Sequence, residues 1–158
     1  MLLYAGERPQ VRLGDVQAVV TQSREADVFA LTDAVGRGDV HEALRLLAVM
    51  FAAGEKETGA AMQLFALLTR HMRLLMTARA HGHDFGRVAG LPPFLVSKYE
   101  AQARGFSIDR LRATYAGLAR LDSDLKGGSH VAYASPLMAL QRWILDVCGA
   151  LPGVERRV

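Results

Sequence analysis

The sequence predicts an all-α protein, a bundle of helices, and three observations carry that expectation. Ala, Leu and Arg are abundant while aromatic and β-branched residues are scarce, so local propensity favours helix over strand. Gly and Pro positions cut the chain into pieces of helix length, notably Gly36 and Gly38, Gly54, Pro92-Pro93 and Gly105. The stretch Thr58–Ala80 is the longest apolar run, with no proline and no glycine beyond Gly59. Its 158 residues are enough for one core, and 51% hydrophobic with 22% charged residues is a globular composition.

Residues 1–24 read as the tail of something larger. Met1-Leu-Leu-Tyr4 is apolar and unprotected, Gly6–Gln10 reads as a turn, and Asp15–Gln22 makes a short helix with Val16, Val19 and Val20 inward. A linker is expected near Ser23–Ala26. Asp27–Val35 then supplies Val28, Leu31 and Val35 at helical spacing and is stopped by Gly36 and Gly38. Asp39 caps the next helix, with Glu42 placed three residues on for a capping box. The inward face of that helix, residues 39–53, is Val40, Ala43, Leu44, Leu47, Met50 and Phe51, and a short connection predicts a hairpin with the helix that follows.

Thr58–Ala80 is the central helix. Ala61, Leu64, Phe65, Leu68, Met72, Leu75 and Met76 follow the i, i+3, i+4 spacing, and Ala60, Leu67, Leu74 and Ala78 widen the stripe, so this helix must be covered from more than one side. Gln63, Arg70, Arg73 and Thr77 leave one narrow polar line for solvent or a partner. His81, Gly82, His83 and Asp84 end the helix. Two His two residues apart do not share a helical face and no Cys or second His motif completes a tetrahedral site, so they read as solvated loop residues.

Phe94–Arg104 is a helix with Val96, Tyr99 and Ala103 inward and Lys98, Glu100 and Arg104 outward. Ser107 caps a long helix to Lys126, with Asp109 in its first turn. Ile108, Leu111, Tyr115, Leu118 and Leu125 form its stripe, and the position completing the series is Asp122. A carboxylate at the core edge needs a partner: Arg70 or Arg73 across the bundle, or Lys126 four residues on. A core pair would make Asp122→Ala clearly destabilising. Gly127–Ser129 lead a linker to Ser135, which caps a last helix with Pro136 at its first position. Leu137, Leu140, Ile144 and Val147 face inward, Trp143 straddles core and surface, and residues 151–158 form a tail.

The chemistry available is narrow. Cys148, the one cysteine, lies beside Ile144 and Val147 and reads as a small core residue, which excludes an internal disulfide and fits a reducing, cytoplasmic setting. The formal charge is +3, with 16 acidic residues spread along the chain, and 16 of the 19 basic residues are Arg. No nucleophile motif, paired acids, metal set or dinucleotide fingerprint is present, so no catalytic, cofactor-binding or metal residue is assigned. No run is apolar enough for a membrane span, and no signal peptide opens the chain.

Several stretches in order resemble one family. ADVFALTDAVGRGDVHEALRLLAVMFAAGE is similar to the start of the C-terminal domain of the delta subunit of bacterial DNA polymerase III, a clamp-loader subunit. LLTRHMRLL resembles that family's central helix. LPPFLVSKYEAQARGFSIDRL resembles its segment with an apolar-Pro-Phe approach, an Ala-Arg pair and a Phe-Ser before a long helix, and LARLDSDLKGG resembles the pattern that ends it. LLYAG and VRLGDVQAVV resemble the end of the family's middle, lid-like domain.

The resemblance implies a remnant of that domain at 1–24, a helical collar domain at 25–150, and a missing ATPase-like region that engages the sliding clamp. It implies a non-catalytic assembly module with no cofactor, joining other clamp-loader subunits of the gamma/tau and delta-prime types, with DNA contact indirect or weak. The full-length protein would then act within the DNA polymerase III holoenzyme in replication. Candidate interface or core ion-pair residues are Arg70, Arg73, Asp122 and Lys126, and candidate surface contacts are Lys98, Arg104 and Arg112. The competing reading is a basic nucleic-acid-binding module using Arg70, Arg73, Arg104, Arg110 and Arg112 against phosphate.

Overall fold

Seven α-helices and no strands make up the described residues of the computed structural model, which are 12–52, 56–127 and 135–149. In chain order they are α1 (Leu13–Arg37), α2 (Val40–Phe51), α3 (Glu57–His81), α4 (Phe85–Ala89), α5 (Pro93–Arg104), α6 (Ile108–Leu125) and α7 (Pro136–Gly149), with a single 3₁₀ turn at Gly82–Asp84. Residues 1–11 and 150–158, and with them the expected apolar start and tail, lie outside the described residues, as do Gly54 and the stretch 128–134 of the expected linker.

α3 is the axis. It packs against α1, α4, α5, α6 and α7, and its Ala61, Leu64, Leu68, Met72 and Leu75 are buried. Full burial of one such leucine or methionine is worth about 1.5–3 kcal/mol relative to exposure, so this one helix anchors a large share of the core. Phe65 and Met76 are half-buried beside it, which is the wide stripe that the spacing predicts.

The expected linker at Ser23–Ala26 is instead helix. α1 runs unbroken for 25 residues, because no Pro or Gly lies between Gly14 and Gly36 and helical hydrogen bonding has no reason to stop. Its first turn is closed by Asp15, whose carboxylate accepts the Arg12 N–H at 2.9 Å. Its end is set by Gly38, which adopts φ 72°, a left-handed geometry that favours glycine.

α2 differs from expectation in what it packs on. It lies against α1 and α7 rather than along α3. The tight connection that decides this is Gly38-Asp39, which turns the chain onto α1 before the longer connection to α3 is reached. Asp39 does cap α2, its Oδ1 accepting from the Glu42 N–H at 3.0 Å, but the Glu42 carboxylate pairs with Arg45 instead of reaching back.

In α6 the Ser107 hydroxyl accepts from the Arg110 N–H, as the cap requires. The buried set is Arg110, Leu111, Thr114, Gly117, Leu118 and Leu121. Ile108, expected inside, is 51% exposed, because it opens the helix and the buried phase falls one residue away from the expected stripe. Small residues cause the shift. Gly117 lets α7 approach until Trp143 Nε1 stands 3.0 Å from where a Cβ would be, and Trp143 is buried in the core rather than straddling its edge.

Candidate interaction surface

Two arrangements hold the surfaces of this bundle in place, and both escape sequence reading. The first is a buried polar cluster joining α1, α3 and α5. His71 Nε2 donates to Gln102 Oε1 at 2.6 Å, Gln102 Nε2 donates to the Phe29 carbonyl at 3.0 Å and to Thr32 Oγ1 at 3.1 Å, and the Thr32 hydroxyl donates to the Val28 carbonyl at 2.8 Å. Donation from Nε2 to the amide oxygen fixes the Nε2–H tautomer of a neutral imidazole. Phe29 meets the His71 ring edge-on at 4.3 Å and Tyr99 at 4.7 Å, and Lys98 Nζ sits 4.1 Å above the Phe29 ring. Burial drives the His71 pKa down to about 4, against the Gln102 hydrogen bond and with help from the Lys98 and Arg70 charges.

The second is Arg110. Its Nε and Nη2 donate to the Val35 carbonyl at 3.2 and 2.8 Å, placing a cation at the negative end of α1. The guanidinium is buried, which lowers its pKa through desolvation, and Nη1 has no hydrogen-bond partner. Arg110 is therefore a tie between α6 and α1 and not one of the outward phosphate-facing arginines.

Arg70 pairs with Glu25 on α1 at 2.8 Å, and Asp122 pairs with Lys126 at 2.8 Å, so neither Arg70 nor Arg73 meets Asp122 and the core ion pair across the bundle does not form. Asp122 is half-buried on the rim of α6, close enough to solvent for its i, i+4 neighbour to serve it. Arg73, Arg112 and Arg104 are exposed, and Lys98 is taken up by the Phe29 ring. The polar line on α3 is real at Gln63, Arg70 and Arg73, and part of it faces α1: Arg24 donates to Gln63 just as Glu25 takes Arg70. A further tie is Glu57 at the start of α3, whose carboxylate accepts the Leu137 N–H at 2.9 Å. That bond and the Ser135 hydroxyl hold its carboxyl below the usual range.

Among the concavities of the described surface, two differ sharply in character. Between α1, α2 and α3 lies an apolar groove of about 450 Å³, lined by Val19, Val20, Met50, Phe51, Leu64 and Leu67, with Arg24 and Asp27 at its edge. Val20 and Val49 beside it are 46% and 60% exposed. Where α3 and α5 end, a smaller cleft of about 240 Å³ has a floor of Ala78 and Ala103 and walls of Arg79, His83, Glu100 and Arg104. His81 and Asp84 are exposed near the same turn, Asp84 pairing with Arg87, and no three His, Cys, Asp or Glu among the described residues are grouped to hold a metal ion.

Buried polar bonds thus tie the described helices into one all-α bundle, the class of fold that the chain adopts. Residues 25–141 match the family described as the C-terminal domain of the DNA polymerase III delta subunit, and the chain belongs to that family. It is 26% identical over 131 residues to the DNA polymerase III subunit delta of Bacillus subtilis (strain 168), covering 79% of this chain and 37% of that protein. Its fold is similar to that of the Bacillus subtilis DNA clamp loader delta protein, with a TM-score of 0.66 and 22% identity over 93% of this chain and 43% of that one. The chain thus spans well under half the length of the relatives it matches.

Proposed function

We propose that this domain is the non-catalytic assembly module of a clamp-loader delta subunit, joining helical domains of neighbouring clamp-loader subunits so that the whole protein helps load the sliding clamp in replication. Family membership supplies the class of partner, and the apolar groove between α1, α2 and α3 is the observation that carries the docking role. Val20, Val49 and Phe51 present apolar surface that the bundle itself leaves partly uncovered, and a partner helix laid there gains the burial that the isolated domain lacks.

On this reading α1 carries continuous helix from residues belonging to the preceding lid-like region, up to about residue 24, into the collar at 25–150. Arg73 and Arg112, exposed on α3 and α6, contribute charge at the rim of the assembly rather than at its centre. The test is co-purification with the clamp-loader ATPase subunits, using the unaltered chain and Val49→Asp. Stoichiometric co-elution that the substitution weakens by at least about tenfold supports the assignment, since a charge buried in an apolar contact costs more than 1.4 kcal/mol. No association of the unaltered chain removes it. Binding to DNA that falls steeply with salt and is lost with Arg73 and Arg112 would favour the nucleic-acid reading instead.

A further inference from the structure

The cleft at the ends of α3 and α5 brings together two arginines that stand against no carboxylate. Five other arginines are paired, Arg37 with Asp33, Arg45 with Glu42, Arg70 with Glu25, Arg87 with Asp84 and Arg142 with Asp146, and the exposed Arg73, Arg112 and Arg120, also without a carboxylate within 4 Å among the described residues, do not line this cleft. Arg79 and Arg104 have no carboxylate within 4 Å among the described residues, although both line the same cleft. Arg104 has Glu100 one turn before it, the spacing and order that favour an intrahelical pair, yet no ion pair forms between them. Each guanidinium sits in the last turn of its helix, where the helix dipole favours a cation and folding alone accounts for its presence without an acidic partner.

We infer that this cleft binds a carboxylate-bearing segment of an acidic peptide from a partner protein, with Arg79 and Arg104 as the two anion-binding forks. Two arginines lining one cleft supply the planar, paired donors that carboxylates accept in bidentate geometry, and His83 on the same lining adds a ring nitrogen. The floor of Ala78 and Ala103 is apolar and small, so a peptide backbone can lie close to it. Glu100 decides between anionic polymers. A peptide presents N–H donors that Glu100 accepts, whereas a DNA backbone presents none and meets only repulsion there. No Phe, Tyr or Trp lines the cleft among the described residues, which leaves His83 as its one ring. The inference stands apart from the apolar groove, which lies between α1, α2 and the opposite, N-terminal half of α3.

The experiment is fluorescence anisotropy on the 158-residue chain with two dye-labelled probes of equal net charge, a short peptide of alternating Glu and Gly and an oligothymidine. The expected result is tighter binding of the peptide, weakened at least about tenfold by Arg79→Glu with Arg104→Glu and kept within a few-fold by Arg79→Lys with Arg104→Lys. Val49→Asp leaves the peptide affinity unchanged, which separates this site from the groove. Both arginines are at the surface, and circular dichroism confirms that the variants keep their helices. Peptide binding indifferent to the charge reversal overturns the inference, as does no peptide binding at all. Tighter binding of the oligothymidine through the same two arginines also overturns it and assigns the cleft to nucleic acid.

Discussion

His71 is the residue at which burial and ionisation oppose each other most strongly. Its pKa is lowered from 6.5 to about 4 in the folded protein, so the neutral form is the native one and the unfolded chain takes up the proton first on acidification. The stability it contributes is fully present above pH 6.5 and is lost as pH falls from there toward 4. At about pH 5 the loss is about 2 kcal/mol, and thermal melts across that range should fall more steeply for the unaltered chain than for His71→Leu. Equal slopes would mean that the imidazole is solvated. Arg110 makes a second residue-scale case. Arg110→Met removes two donors from the Val35 carbonyl at the end of α1 and should cost about 1.5–3 kcal/mol, read as a lowered denaturation midpoint. Asp122 goes the other way. Its pair with Lys126 is local and partly exposed, so Asp122→Ala should change stability by less than about 1 kcal/mol, where a core pair across the bundle would have made it severe.

At the scale of elements, helix existence was legible in the sequence and helix packing less so. The apolar period of α3 placed its buried face, and Asp39 and Ser107 marked the starts of α2 and α6 because their side-chain oxygens have one obvious use there. The continuity of α1 is hidden in the sequence because the run of polar residues at Ser23–Ala26 resembles a linker in composition, yet contains nothing that breaks a helix. The phase of α6 is not legible from Leu and Ile alone, because Gly117 faces α7 and lets it come close while Thr114 is buried with it on α6. His71, Gln102 and Arg110 were invisible for a related reason: a polar residue on a helix looks outward until its partner from a distant element is known. The α6–α7 contact has its own test. Gly117→Ala puts a methyl 3.0 Å from Trp143 Nε1 and 3.2 Å from Val147 Cγ1, and overpacking of that kind costs about 1–3 kcal/mol. A thermal midpoint equal to that of the unaltered protein would show that α7 moves away freely.

For the whole molecule, the buried bonds among α1, α3 and α5 and the tie from α6 to α1 make one frame out of helices that are far apart in sequence. Both concavities depend on that frame, since the groove uses α1 and α3 and the cleft uses α3 and α5. Family membership was legible from several stretches in the right order, while the surfaces that matter for docking were not, because a groove is a property of three helices together. Amide hydrogen exchange on the complex with clamp-loader ATPase subunits tests the assembly reading most directly. Docking in the groove predicts slowed exchange over Val19–Asp27, Val49–Phe51 and Ala60–Leu67 relative to the free chain, with no such protection in Val49→Asp. Unchanged exchange across all three segments in a complex that has formed would contradict it.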